Sequence, residues 1–146
     1  MPSVITFSEG WFILPVRVFP HQTDYAGIVW HGTYITWMEE LRVESLRLLG
    51  IEYRHLVALG CDLPVVDLTL RYHQSVKMGM TILVKGRLLP IKGVRLIWDY
   101  QLVSEDRQHL YVSGKITLVP LSRETGNILR FLPPQFQEAL AKIDKL

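Results

Sequence analysis

The sequence predicts an α+β fold in which a five-stranded antiparallel sheet wraps around one long helix. The first observation is a helical pattern of apolar residues over residues 34–50. The second is a run of β-branched and aromatic residues before it, and the third is a set of four such runs after it. Strands joined by short connections pair antiparallel. A single apolar helix is best buried when such a sheet curls around it.

The length and composition indicate one globular domain over residues 1–146. Hydrophobic residues make up 49% of the chain and charged residues 21%, which is ordinary for a protein with a real core. Sixteen Lys and Arg residues against fourteen Asp and Glu residues give a net charge of +2, and they form no basic block. The composition therefore does not indicate a nucleic-acid partner.

The cysteine content and the apolar runs bear on location. Cys61 is the single cysteine, so no intrachain disulfide can form, which suits a reducing compartment. Residues 1–12 lack the basic and apolar regions of a signal peptide. No apolar stretch approaches the roughly 20 residues that span a bilayer. We expect a cytoplasmic protein with no membrane partner.

The first predicted strand, residues 11–19, leads through a loop into the long helix at residues 34–50. Thr33 is the expected N-cap and Gly50 the residue just past the C-terminus. One face of this helix carries Tyr34, Met38, Leu41, Ser45 and Leu48 or Leu49, and is widened by Trp37 and Leu46.

After the helix, the pattern predicts a short helix, four strands and a terminal helix. Breaks occur at Gly79, at residues 90–93 and at residues 105–108. The predicted strands cover residues 63–76, 81–89, 94–103 and 110–119, and the helices cover residues 52–59 and 133–146.

The loop HQTDYAGIVWHGTY, residues 21–34, places one carboxylate and one imidazole in an apolar run. An Asp24 carboxylate surrounded by apolar groups would be desolvated, which would raise its pKa and its basicity. The helix start beyond it offers unpaired N–H groups and a partial positive charge that can hold an oxyanion. Gly27 and Gly32 permit a ligand to approach the backbone closely.

A thioester is a substrate for which this pair of groups can suffice. A peptide bond has a poor leaving group and needs a general acid, whereas a thiol has a pKa of about 8.5 and leaves readily as thiolate. The alternative is structural: Asp24 would be a turn former or a cap. His31 would then be a structural residue near a helix start.

The segment TDYAGIVWHGTYITWMEELR resembles the signature of the hotdog-fold acyl-CoA thioesterases, in the hydroxybenzoyl-CoA thioesterase branch. The later segment LPVVDLTLRYHQSVKMG is similar to the second-strand region of that family. Together the resemblance covers about residues 12–120. The positions that match the loop signature are Asp24, Gly27, Ile28, Val29, Trp30, His31, Tyr34, Glu39 and Arg42.

The resemblance implies a hotdog fold and a homodimer or homotetramer whose sheets join edge to edge, with active sites between subunits. Asp24 becomes the nucleophile or general base, and the backbone N–H near His31 polarises the thioester carbonyl, with the His31 side chain as a helper. The implied substrate-binding residues are Tyr25, Gly27, Ile28, Val29, Trp30, Tyr34 and Pro64, with Lys92 and Arg95 at the nucleotide end of coenzyme A.

The chain departs from the family pattern at two turns. The family often has Gly-Asp before its third strand, where this chain has Gly79-Met80. It often has Lys-Ser or Arg-Ser near its fourth strand, where this chain has Lys92-Gly93. This turn contributes to coenzyme A binding in some members of the family, so the missing Ser puts its contacts with the coenzyme A phosphates in doubt. Lys92 and Arg95 could equally be solvated strand-end charges.

Another branch of hotdog thioesterases uses a helix Glu as its catalytic carboxylate. In this chain we interpret Glu39 as a structural residue paired with Arg42, and Glu40 as part of a solvated face. The spacing of the remaining histidines indicates no metal site, and we expect no cofactor.

The activity that follows is hydrolysis of an acyl-CoA thioester to a free acid and coenzyme A. Three alternatives stay open. The carrier could be acyl carrier protein, the acyl group could be aromatic, of the hydroxynaphthoyl-CoA type, or the chain could bind acyl thioesters without cleaving them. A hotdog dehydratase is disfavoured, because its His-containing helix signature is not found.

Overall fold

A computed structural model describes residues 4–146 of the chain. These residues form eight strands, three helices and two short 3-10 turns at Pro20–Gln22 and Lys142–Lys145. The strands are β1 (Thr6–Ser8), β2 (Trp11–Arg17), β3 (Cys61–Asp62), β4 (Val65–Tyr72), β5 (Thr81–Leu88), β6 (Leu96–Ser104), β7 (Leu110–Leu118) and β8 (Leu121–Ser122). The helices are α1 (His31–Leu48), α2 (Tyr53–Ala58) and α3 (Pro134–Ala141).

Six of the strands form one antiparallel sheet in the order β1-β2-β5-β6-β7-β4. Strands β3 and β8 pair separately as a small second sheet. The predicted α+β class and antiparallel sheet are confirmed, but the expected count of five strands is wrong, since β1 adds a sixth. Strand β4 forms one edge of the large sheet and is exposed along almost its whole length.

Strand β1 pairs with β2 through a two-residue turn at Glu9 and Gly10. Both turn residues have positive φ, of 52° and 86°. Such a backbone matches the twist of a hairpin, and it normally selects Asn-Gly or Asp-Gly. The Glu in the first position explains why the sequence pattern did not reveal this hairpin.

Helix α1 begins two residues before the predicted N-cap. Trp30 occupies the N-cap position, and no side chain caps the helix. The Thr33 hydroxyl instead donates a hydrogen bond of 3.0 Å to the Gln22 carbonyl, which ties the helix start to the preceding loop. At the other end Gly50 adopts a φ of +90°, as expected of a residue that ends a helix in the left-handed region.

The apolar face of α1 lies against the middle of the sheet. Trp37, Met38 and Leu41 are each at most 1% exposed, and burying each such side chain stabilises the fold by roughly 1.5–3 kcal/mol. The helix passes close to Gly86 of β5, where a Cβ atom would lie 2.6 Å from the Leu41 Cδ2 atom. A glycine at this position therefore sets the distance between helix and sheet.

Arg42 is buried on the same helix, with 4% of its surface exposed. Its Nη1 atom donates to the Tyr100 hydroxyl over 3.1 Å, and that hydroxyl donates to the Met38 carbonyl over 3.0 Å. Burial raises the pKa of Tyr100 far above its usual range, although the Arg42 charge opposes the rise. The predicted ion pair between Glu39 and Arg42 is wrong, because no carboxylate of residues 4–146 lies within 4.0 Å of this guanidinium.

The terminal helix is confirmed, as α3 followed by a 3-10 turn. Phe136, Ala139 and Leu140 pack into the main core. The Lys142 ammonium donates a hydrogen bond of 3.1 Å to the Leu49 carbonyl at the C-terminus of α1. A cation there complements the negative end of the helix dipole. None of the helices in residues 4–146 combines the length and the apolar character needed to cross a membrane.

Candidate active site

The loop before α1 is a tight turn closed by its own backbone. The Asp24 amide donates to the Ile28 carbonyl over 2.7 Å, and the Gly27 amide donates to the Asp24 carbonyl over 3.1 Å. Gly27 has a φ of +75°, which an L-residue rarely adopts. The Val29 amide then donates to the Val76 carbonyl over 2.8 Å, and this bond fixes the loop to the segment after β4.

The Asp24 carboxylate is held by the turn through one oxygen. Its Oδ1 atom accepts hydrogen bonds from the Ala26 amide at 2.8 Å and the Ile28 amide at 3.2 Å. Within residues 4–146, the Oδ2 atom accepts no hydrogen bond. The Asp24 side chain is exposed in the single chain. The predicted burial among apolar groups is therefore wrong for one chain alone. One oxygen is thereby positioned and the other is available to a ligand.

The start of α1 presents unpaired N–H groups beside this carboxylate. The Thr33 amide donates to the Trp30 carbonyl over 2.9 Å, whereas the His31 and Gly32 amides have no acceptor within residues 4–146. The Trp30 indole lies over Gly32, where a Cβ atom would come within 1.9 Å of the ring. The first turn of a helix with no cap retains its partial positive charge and can donate to an anion.

A cleft of about 360 Å³ joins the loop, the helix start and the end of β4. Six of the predicted site residues line it together: Asp24, Ile28, Val29, Trp30, His31 and Tyr34. The Trp30 and His31 rings are 4.6 Å apart. Burial raises the pKa of Tyr34, partly offset by its hydrogen bond to the Val76 backbone, so the hydroxyl stays neutral.

The opposite wall of the cleft consists of Tyr72, His73, Gln74 and Ser75, which the sequence reasoning did not single out. The Tyr72 hydroxyl lies 3.5 Å from the His31 carbonyl, and its ring lies 5.6 Å from that of Tyr34. The His73 Nε2 atom is 2.8 Å from the Ser113 hydroxyl. The sequence pattern placed these residues at the end of the predicted strand 63–76, but a strand pattern does not show what its end faces.

Five other predicted residues do not line this cleft of their own chain. Tyr25 is fully exposed. The carbonyl of Gly27 accepts from the Met78 amide over 3.0 Å, and that of Pro64 accepts from the Val119 amide over 3.3 Å. The backbones of Lys92 and Arg95 pair as an isolated antiparallel β-bridge in the turn between β5 and β6. Their roles stay predictions.

Residues 4–146 contain no group of three or more His, Cys, Asp or Glu side chains that could hold a metal ion. The cleft is lined by one carboxylate, that of Asp24, and by two imidazoles, those of His31 and His73. The helix start beside it carries the unpaired amides of His31 and Gly32. Such a set can attack a carbonyl carbon and stabilise the resulting oxyanion.

Comparison with solved structures defines the fold class. The chain superposes on DHNA-CoA thioesterase of Staphylococcus aureus with a TM-score of 0.80 and 26% identity, over 100% of this chain and 93% of that one. The predicted hotdog fold is thereby confirmed. The Thioesterase-like superfamily matches residues 18–142, which include the loop, α1 and the large sheet apart from β1 and β2. The chain belongs to this superfamily.

Two relatives make the similarity more specific. The inferred esterase sll0410 of Synechocystis is 51% identical over 136 residues, which cover 93% of this chain and 82% of that protein. The acyl-CoA thioesterase YbgC of Haemophilus influenzae is 26% identical over 116 residues, which cover 79% of this chain and 85% of that one. The prediction of a thioester hydrolase is confirmed at the level of the family.

Proposed function

We propose that the chain hydrolyses acyl-CoA thioesters in the cleft at the start of α1. The observation that carries this proposal is that Asp24 and His31 line one cleft at the start of α1, where the amides of His31 and Gly32 are unpaired. The carboxylate attacks the thioester carbon or activates water to do so, and the amides stabilise the negative charge that forms on the carbonyl oxygen. Membership of the superfamily and the similarity to YbgC support coenzyme A as the carrier.

In the nucleophilic route, Asp24 Oδ2 bonds to the thioester carbon and the C–S bond breaks. The thiolate leaves, and water hydrolyses the mixed anhydride to the free acid and the regenerated Asp24 carboxylate, while the remaining proton goes to the thiolate. In the general-base route, Asp24 takes a proton from water as the water oxygen bonds to the same carbon, and the departing thiolate receives that proton. Both routes place negative charge on the carbonyl oxygen, which the His31 and Gly32 amides can stabilise. The His31 side chain would assist from the same wall.

The aromatic walls support a second candidate substrate, an aryl-CoA. Trp30, Tyr34 and Tyr72 line the cleft together, and flat rings pack well against such side chains. The fold relative from Staphylococcus aureus is named a DHNA-CoA thioesterase, which fits this option. Acyl carrier protein as the carrier and acyl-thioester binding without hydrolysis are the remaining alternatives.

Thiol release from a panel of thioesters tests these proposals. The panel contains short, medium and long acyl-CoAs, benzoyl-CoA, a hydroxynaphthoyl-CoA and an acyl carrier protein thioester. We expect release from at least one coenzyme A thioester, with kcat/KM in the ordinary enzymatic range above roughly 10⁴ M⁻¹s⁻¹ for the preferred acyl group. If only the acyl carrier protein thioester is cleaved, the proposed carrier, coenzyme A, is wrong. If every thioester binds and none is cleaved, the chain is a binding module.

We also propose that two copies pair through the exposed edge of β4. Its apolar side chains Val65, Val66, Leu68 and Tyr72 are 40–52% exposed. A long edge with apolar side chains is a template for strand pairing, and pairing two copies removes it. Because Tyr72 also lines the cleft, a second copy would lie beside the site. In such an assembly Lys92 and Arg95 would meet the coenzyme A phosphates of a neighbouring copy.

The substitution Leu68→Lys should weaken this assembly, because it places two ammonium groups beside the symmetric edge. We expect a dimer dissociation constant at least about tenfold larger, equivalent to the loss of about 1.4 kcal/mol of association free energy. Light scattering after size exclusion, over a dilution series, measures it. Val57→Lys replaces an equally exposed apolar residue on α2 and is the matched control. A parent that is already monomeric, or a Leu68→Lys variant that assembles like the parent, would contradict the proposal.

A further inference from the structure

Gly32, the second residue of α1, lies directly against the indole of Trp30. A Cβ atom at position 32 would overlap the ring atoms Cζ3, Cη2 and Cε3 of Trp30, so a larger residue must displace the indole. The backbone does not require glycine here, because Gly32 is helical and lacks the positive φ of Gly27. Glycine is also a poor helix former. The space that the indole occupies is therefore the physical reason for a glycine at this position.

This contact changes the role expected of Gly32. The sequence favoured a ligand that approaches the Gly32 backbone closely, but the indole of the same chain already covers this Cα atom. A ligand that enters the cleft from the side of Trp30 therefore meets the indole before it meets Gly32.

The indole is held by its neighbours and is still open to a ligand. Its six-membered ring lies on Gly32, and the Trp30 and His31 rings are 4.6 Å apart at an interplanar angle of 44°. Trp30 nevertheless keeps 53% of its surface exposed, and it lines the cleft that contains Asp24. An aromatic ring that is held in place and partly open can act as a platform for a flat group.

The two tyrosines of the cleft are less available than Trp30. Tyr34 is only 3% exposed, and its ring packs 5.6 Å from that of Tyr72. Tyr72 is the last residue of β4, the edge through which we propose that two copies pair. Trp30 therefore remains the large aromatic side chain that the cleft can offer to an acyl group.

We propose that Gly32 positions the Trp30 indole as a stacking platform, and that this platform sets how strongly the cleft prefers flat acyl groups to flexible ones. The inference rests on the proposed thioester site and adds the feature of the acyl group that this site selects. A flat ring stacks on the indole without loss of rotamer freedom, whereas an alkyl chain loses such freedom when it is held there. One aromatic contact corresponds to roughly two- to tenfold in affinity.

The preference is measured as the ratio of kcat/KM for benzoyl-CoA to kcat/KM for hexanoyl-CoA. We expect Trp30→Ala and Gly32→Ala each to lower this ratio at least about threefold, which lies within the range of one aromatic contact. Adding Gly32→Ala to Trp30→Ala should lower the ratio no further, because Gly32 acts through the indole. A ligand that approached the Gly32 backbone directly would instead lose as much in both backgrounds.

The indole N–H signals in proton–nitrogen correlation spectra show whether the ring moves. The chain has four tryptophans, and Trp30→Phe assigns the Trp30 signal. Gly32→Ala should shift this signal, and benzoyl-CoA should shift it in the parent. The urea midpoint of Gly32→Ala should be no lower than that of the parent, because Ala is the better helix former and the displaced ring is half exposed.

Trp11→Ala is the matched control for the loss of an indole. Trp11 packs under the cations of Lys85 and Arg87 and does not line the cleft. Its variant should therefore keep the benzoyl-to-hexanoyl ratio of the parent.

Three results would overturn the inference: an unchanged ratio in Trp30→Ala, an equal effect of Gly32→Ala with and without the indole, or a Trp30 signal that Gly32→Ala does not shift. A parent that hydrolyses neither thioester contradicts the proposed function instead. The ratio of the dissociation constants of the same two ligands, measured by titration calorimetry on the same variants, then decides between a stacking platform and none.

Discussion

Asp24→Asn is expected to lower kcat/KM for the preferred thioester by about 100-fold or more, which is the usual size of a lost acid–base or nucleophilic group. The amide oxygen of Asn can still accept from the Ala26 and Ile28 amides that now hold Asp24 Oδ1. The turn should therefore persist while the negative charge of the second oxygen is lost. Thiol release from the parent and the variant, measured side by side, gives the ratio.

Asp106→Asn is the matched control for this experiment. Asp106 also sits in a turn and accepts a backbone hydrogen bond, from the Gln108 amide at 2.9 Å, together with one from the Ser104 hydroxyl. It does not line the cleft, so its variant should hydrolyse thioesters like the parent. Equal rates for the parent and Asp24→Asn would make Asp24 structural and direct attention to Glu39.

The two catalytic routes predict different fates for an isotope. In a single turnover with ¹⁸O-labelled Asp24 in ordinary water, nucleophilic attack transfers one labelled oxygen to the acid when water opens the anhydride at the Asp24 carboxyl carbon. General-base catalysis leaves the carboxylate label unchanged. Label in the released acid therefore identifies the nucleophilic route without any substitution.

Gly86→Val is expected to lower the free energy of unfolding by about 3 kcal/mol, the upper part of the usual range for overpacking a core. A Cβ atom at this position would lie 2.6 Å from Leu41 Cδ2 and 3.0 Å from Tyr100 Cε1. Neither partner can move aside easily, because both side chains are fully buried. Urea unfolding at a fixed protein concentration, by linear extrapolation, measures the loss.

Lys85→Val controls for the change in strand propensity. Lys85 precedes Gly86 in β5, but its ammonium lies over the Trp11 ring on the other face of the sheet. We expect a change within about 1 kcal/mol, because only an exposed cation–π contact is lost. If Gly86→Val is as stable as Lys85→Val, the helix does not depend on close approach at this position.

Much of the fold follows from local pattern. The apolar stripe of α1 and the strands β2, β5, β6 and β7 were predicted because helices and strands carry different apolar periods. The start of α1 was misplaced, since Thr33 is a good cap by type but uses its hydroxyl on the Gln22 carbonyl. That contact joins residues 11 apart and has no local signature.

The candidate site was predictable on the side that a single segment builds. The loop and the helix start are contiguous, so Asp24, Trp30 and His31 fall together. The opposite wall, Tyr72–Ser75, comes from a segment about 40 residues later, and backbone pairing of Val29 with Val76 and of Gly27 with Met78 brings it near. The burial of Arg42 against Tyr100 was not predicted, because charged residues are seldom buried.

The contact between Lys142 and Leu49 joins two residues 93 positions apart. During synthesis, the end of α1 therefore emerges long before the cation that will cap it. Until that cation arrives, the last carbonyls of the helix depend on water, and the face that α3 will cover is open. Similarly, β4 pairs with β7 and β2 pairs with β5, so each of these strands is synthesised well before its partner. A nascent chain thus exposes apolar helix and unpaired strand edges together, and a chaperone that holds such surfaces would favour completion over aggregation.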